Sequence, residues 1–154
     1  MSPPPDRQRG SALLLFPAGL LIMVALAAMA VDSAIAFLAQ RELVNATAAA
    51  ANDAATEALS DSSFYEENRI ELSAAAVESI AVGRVFALVD AGRHHGLSVT
   101  AEAVPPATAG CACTVRVSAS STVDEIFGKV LPGGGTADVH ASAGASPRQA
   151  SSGC

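Results

Sequence analysis

The chain has 154 residues, a net charge of −6, 51% apolar side chains but only 4% aromatic ones, and no tryptophan. From Asp32 onward, 14 acidic residues stand against 7 basic ones. That balance excludes tight binding to nucleic acid, whose phosphates require Lys and Arg, and to anionic lipid head groups.

Residues 10–31, GSALLLFPAGLLIMVALAAMAV, form 22 consecutive positions without a charged side chain, preceded by Arg7 and Arg9 and closed by Asp32. As a helix they are long enough to cross the roughly 30 Å hydrocarbon core of a bilayer. The basic flank predicts an N-terminus inside and an exported C-terminal part, hence a single-pass protein of the cytoplasmic membrane. The expected organisation is a cytoplasmic leader over 1–10, a transmembrane helix over 11–31, an outward extension over 32–60, a small α+β domain over 61–143 and a disordered tail over 144–154. Ala28-Met29-Ala30 has the small-x-small form of a signal-peptidase site. The apolar run exceeds the 7–15 residues of an ordinary signal core, and helix-forming sequence continues past it, which favours a retained anchor over a cleaved signal.

Helical pattern runs from Ser11 to about Ser60, with Pro17 placed one turn inside, where it can kink the membrane helix. No Gly or Pro interrupts residues 21–82. Phe37, Leu38, Leu43 and many alanines supply the apolar surface; Arg41, Glu42, Asp53 and Glu57 supply the polar one. Alanine is the best helix former but buries little area at about 25 cal/mol per Å², so the composition predicts close helix packing and modest stability. Asp61-Ser62-Ser63 marks the exit into a loop. A second helix is expected from about Glu66 to His94, with Ile70, Ala74, Val77, Ala81, Val85 and Leu88 as its apolar stripe. Glu66, Glu67 and Glu71 suit its start, Arg93, His94 and His95 its end, and Gly96 its C-terminal cap.

Three strands follow, each alternating apolar and polar positions: LSVTAEA from Leu97, CTVRVSAS from Cys113 and TADVHASA from Thr136. A loop containing Pro105-Pro106 joins the first two as a hairpin with a longer connection. Ser121 or Thr122 can cap a short helix through Leu131, ended by Pro132 and Gly133–Gly135. The expected fold class is α+β: a long N-terminal helix, a second helix and a small antiparallel sheet packed on helix.

Few residues suggest chemistry. His94-His95 lacks further ligands at metal-site geometry and reads as a helix-end charge pair, and His140 reads as plain surface. Cys111, Cys113 and Cys154 fall in the exported part, where disulfides persist. Cys111 and Cys113 are too close to bridge across extended backbone. Either can reach Cys154, closing a loop of about 40 residues worth about 3–4 kcal/mol in the chain-entropy model. Free or intermolecular thiols are the alternative. Gly133–Gly135 lacks the Lys-Ser/Thr of a phosphate loop, and Asn45-Ala46-Thr47 matches a glycosylation acceptor but lies in expected helix. Neither a nucleophile elbow nor a Ser-His-Asp arrangement appears. No catalytic residue, metal ligand set or cofactor is nominated, and the chain is expected not to be an enzyme.

Two stretches carry a family resemblance. One is Gly10-Ser11-Ala-Leu-Leu-Leu15-Phe16-Pro17 with Ala30-Val31-Asp32; the other is Arg41-Glu42-Leu43-Val44-Asn45-Ala46 running into an alanine-rich segment with Asp53. Together they resemble the anchors of the tight-adherence (Flp-type) pilus-assembly family, the TadE/TadG-like proteins, over about residues 9–57. The resemblance implies a pilin-like minor pilin, pseudopilin or membrane-anchored assembly protein. Its partners would be other pilus subunits and assembly proteins, with prepilin peptidase cutting between Gly10 and Ser11. Such prepilins usually carry glutamate five residues after the cut; Leu15 stands there instead, followed by the expected aromatic Phe16. A secreted or membrane-anchored extracytoplasmic binding module with no link to pili is the alternative.

Overall fold

The computed structural model of the protein describes residues 11–58, 72–104, 114–130 and 134–147. In chain order these form helix α1 (Ser11–Glu57), helix α2 (Ala74–Leu88), strands β1 (His94–Val104) and β2 (Thr114–Asp124), a 3₁₀ turn (Gly128–Val130) and strand β3 (Thr136–Ala145). The layout is α+β: a long apolar N-terminal helix, a second helix and a three-stranded antiparallel sheet ordered β1-β2-β3.

α1 has 47 residues, about 70 Å at 1.5 Å per residue. Its halves meet different surroundings. Between Leu15 and Val31 every side chain is exposed except Ala28, which is half-buried. From Asp32 a buried stripe begins and runs through Ala39, Leu43, Ala46, Ala50, Ala54 and Ala58 at steps of three, four and seven, the spacing that keeps one helix face against a core. Most of its members are alanines, so α2 and the sheet approach the α1 backbone closely. Thr47, fully buried among them, donates its hydroxyl to the Leu43 carbonyl at 2.7 Å, which satisfies it within its own helix.

α2 is shorter than its sequence pattern predicts. It starts at Ala74, where the N-cap Ser73 accepts from the Ala76 amide, and it ends at Leu88 rather than at His94. Val77, Ala81 and Val85 form its buried stripe, whereas Ala74 and Leu88 at its ends are exposed. Ile70, the three glutamates Glu66, Glu67 and Glu71, and the Asp61–Ser63 turn lie outside the described residues. The early stop has a local cause: Val89 turns extended, and the Asp90 carboxylate accepts from the Gly92 amide at 2.9 Å, an Asx turn that reverses the chain.

His94 and His95 therefore open β1 instead of closing a helix, and Gly96 is not a helix cap. Gly96 sits where the β1–β2 register shifts between His95 and Ser98. Its φ of 61° is a bulge conformation that a side-chain-bearing residue rarely adopts. β2 also outruns its expected length. Ser121–Asp124 continue the ladder, pairing with Thr136–Val139 of β3, so the short helix expected from Ser121 or Thr122 through Leu131 is replaced by strand and one 3₁₀ turn. Backbone pairing to β3 outweighed the capping preference of the hydroxyl residues.

The alternation expected of the strands holds along all three. Val115, Val117, Ala119 and Val123 of β2, with Val139 and Ala141 of β3, are buried against α1, and Leu97, Val99, Ala101 and Ala103 of β1 pack around this core. The opposite face carries hydroxyl and charged side chains, including the cross-strand pair Glu102–Arg116.

Candidate functional site

The described chemistry concentrates along α1, where four polar junctions tie the helix to the domain. The first is Asp32, the residue that closes the uncharged segment. Its carboxylate is buried, and Oδ1 accepts from the Ile126 amide at 2.9 Å and the Phe127 amide at 3.0 Å. Two backbone donors in the β2–β3 connection, unpaired by any strand, thereby find a charged acceptor, a bond type stronger than a neutral pair.

The second junction is Gln40. Its amide donates through Nε2 to the His140 carbonyl and accepts through Oε1 from the His140 N–H at 3.2 Å. β3 is an edge strand, and Gln40 occupies the position a further strand would take, covering backbone groups that would otherwise pair with another chain.

The third is centred on Glu42. Oε1 accepts from the Asp90 amide at 2.8 Å, and Oε2 lies 2.9 Å from the Arg93 guanidinium. Glu42 thus clasps the turn between α2 and β1. Beside it His94 is buried, its Nδ1 2.7 Å from Ser121 Oγ and its Nε2 3.8 Å from Glu42. The trio Ser121, His94 and Glu42 has the residue types of a hydrolase triad. The arrangement differs from a triad: the serine bonds Nδ1, the nitrogen a triad turns to its carboxylate, and both Ser121 and His94 are buried.

The fourth is Arg84 of α2, 2.9 Å from Asp53 and 3.4 Å from Glu57. Glu42 and Asp53, expected as plain polar surface, are thus inter-element contacts, as is the His140 backbone. No spacing rule could have marked Gln40 or Asp32 for these roles, because their partners lie 100 and 94 residues away. The segment Arg41–Ala46, singled out from the sequence, holds Glu42 and the fully buried Leu43, but Gln40 lies just before it.

Of the residues singled out from sequence, Ser11 heads α1 and Leu15 is exposed on it. Gly10, Cys111, Cys113 and Cys154 lie outside the described residues. Among the described residues no three His, Cys, Asp or Glu side chains converge as a metal site. At the tip of the sheet, the hydrogen bond and charge of Lys129, 2.9 Å away, lower the Asp124 carboxyl below its ordinary 3.8, with a smaller contribution from His95. No protein-family model, no curated protein and no solved structure matches this chain.

Proposed function

We propose that this chain is a non-enzymatic structural or assembly component, similar to a minor pilin or pseudopilin, of a bacterial tight-adherence pilus. The observation that supports it is the division of α1. One uninterrupted helix carries an apolar half that stands clear of the domain and is long and apolar enough to cross a membrane, and a second half docked through Gln40, Glu42 and Leu43. A rigid rod with a small domain fixed to its outer end is the shape a filament subunit needs. The apolar half sits in the bilayer before assembly and packs against neighbouring helices after it. Phe37, Leu38 and Val44 extend exposed apolar surface beyond Asp32, and so lengthen the face available to neighbours.

In this scheme Arg7 and Arg9 keep the N-terminus inside and the α+β domain lies outside. Gly10, small and without a Cβ, lets a peptidase reach extended backbone before Ser11. Leu15 lacks the carboxylate that would pair with a neighbour's new amino terminus, which points to a minor or assembly role instead of the bulk subunit. A cut after Ala30 would have to unwind α1 beside its Asp32 clamp, since the helix runs unbroken through Ala28–Ala30.

Mass spectrometry of the N-terminal residue in protein from native membranes and from sheared surface material tests this. A start at Ser11 is the expected result for a pilin-like subunit. A start at Met1 or Ser2 makes the chain a permanent anchor serving assembly. A start at Val31 overturns both and leaves a secreted domain.

A further inference from the structure

We propose that the β2–β3 connection, residues 125–130, is a second membrane-contacting element that seats in the outer lipid interface beside the anchor helix. The inference rests on reading the first half of α1 as membrane-spanning.

Asp32 is the first charged residue after the 22 uncharged positions, so it marks the level at which α1 leaves the hydrocarbon. Its carboxylate holds the Ile126 and Phe127 amides, which fixes the connection at that level. The strand direction agrees. From the Gln40–His140 junction, eight residues back along α1 to Asp32 cover about 12 Å, and four residues back along β3 to Thr136 cover about 13 Å. The sheet therefore runs toward the membrane as far as Asp32 does, and the connection is its membrane-proximal tip.

The side chains at that tip are apolar and open. Ile126 is 61% exposed, Phe127 44% and Val130 83%. Apart from α1, only Phe86 and Leu88 join them as exposed large apolar residues among those described. The acidic groups beside them are engaged: Glu125 accepts from the Gly135 amide, and Asp124 pairs with Lys129. The tip is also compact, because Gly134 approaches so closely that a Cβ there would lie 2.6 Å from the Gly128 carbonyl oxygen. Three exposed apolar side chains, held rigidly at the level where their own chain enters the bilayer, fit the boundary between head groups and acyl chains. They bind by apolar insertion, in keeping with an acidic domain that does not attract anionic head groups. The arrangement braces the domain against the membrane at two points and restricts its tilt about α1.

The chain has no tryptophan, so a single introduced one reports without background. The full chain carrying Phe127→Trp is reconstituted in phosphatidylcholine vesicles and exposed to brominated lipids and to aqueous iodide. Leu21→Trp, at mid-span, serves as the reference, and Val130→Trp repeats the reading if the larger ring at 127 disturbs the tip. The expected result is blue-shifted emission from the tip reporter at either position, lost to lipids brominated near the head group and protected from iodide, with the mid-span reporter lost to deeply brominated lipids. Water-like emission and iodide quenching at both tip positions, with the mid-span reporter in lipid, overturn the proposal and leave the anchor standing. A mid-span reporter open to iodide overturns the anchor reading and this proposal together.

Discussion

Gln40 of α1 and His140 of β3 exchange two hydrogen bonds, side chain to backbone in both directions. A helix side chain thus completes the hydrogen bonding of a sheet edge. Gln40→Ala reopens that edge and removes two bonds, each worth about 0.5–1.5 kcal/mol net. The expected loss is about 1–3 kcal/mol in denaturant unfolding of the α+β domain followed by circular dichroism. Faster amide exchange at His140 should accompany it, and an unchanged exchange rate there would contradict the edge role.

Asp32 distinguishes charge from hydrogen bonding. Asp32→Asn keeps an acceptor oxygen for the Ile126 and Phe127 amides, whereas Asp32→Ala leaves both without a partner. The alanine variant should lose about 1–3 kcal/mol and the asparagine variant clearly less. Amide exchange at Ile126 and Phe127 is the readout, with acceleration in Asp32→Ala expected to exceed that in Asp32→Asn.

Leu43 is the one leucine fully buried among the described residues, in a core whose other buried apolar members are alanines and valines. Leu43→Ala should cost about 2–5 kcal/mol, since so few large side chains fill this core. The opposite change is also unfavourable: Ala54→Leu forces α1 away from its neighbours at about 1–3 kcal/mol. Thermal melts of both variants check the pair of expectations, and a stabilising Ala54→Leu would reveal unfilled space beside α1.

At the sheet tip, the hydrogen bond and charge of Lys129 hold the Asp124 carboxyl below 3.8. A folded-state value below the unfolded one contributes stability that is present above the ordinary value and lost as pH falls through the lower one. Lys129→Met should return the Asp124 midpoint toward 3.8 in an NMR titration, with His95 retaining a small part of the effect. A midpoint that does not rise would assign the shift to another group.

Local periodicity carried much of the fold. Alanine-rich sequence, free of Gly and Pro from residue 21 onward, announced α1, expected to about Ser60 where the helix ends at Glu57. The 3.6-residue spacing of apolar positions announced the buried stripe Val77, Ala81 and Val85 of α2. Period-two alternation announced the faces of all three strands. These signals depend on neighbours within one or two turns, so they are legible without any fold. Boundaries were less legible. His94 and His95 carry the charge of a helix end, yet an Asx turn at Asp90 had already ended α2. Ser121 and Thr122 are good caps, yet a partner strand was present to extend β2.

By itself the sequence determined that this protein has a long apolar N-terminal helix, one small acidic α+β domain and an alanine-rich core that requires close packing. Only the tertiary structure decided what Asp32, Gln40 and Glu42 do. Their partners lie between 48 and 100 residues away, and a hydrogen bond at that separation follows from how the elements pack rather than from the spacing of residues along any one of them. The same holds for the apolar tip at Ile126, Phe127 and Val130, an ordinary loop in one dimension. It gains its meaning from the side chain that pins it beside the point where α1 leaves its uncharged segment.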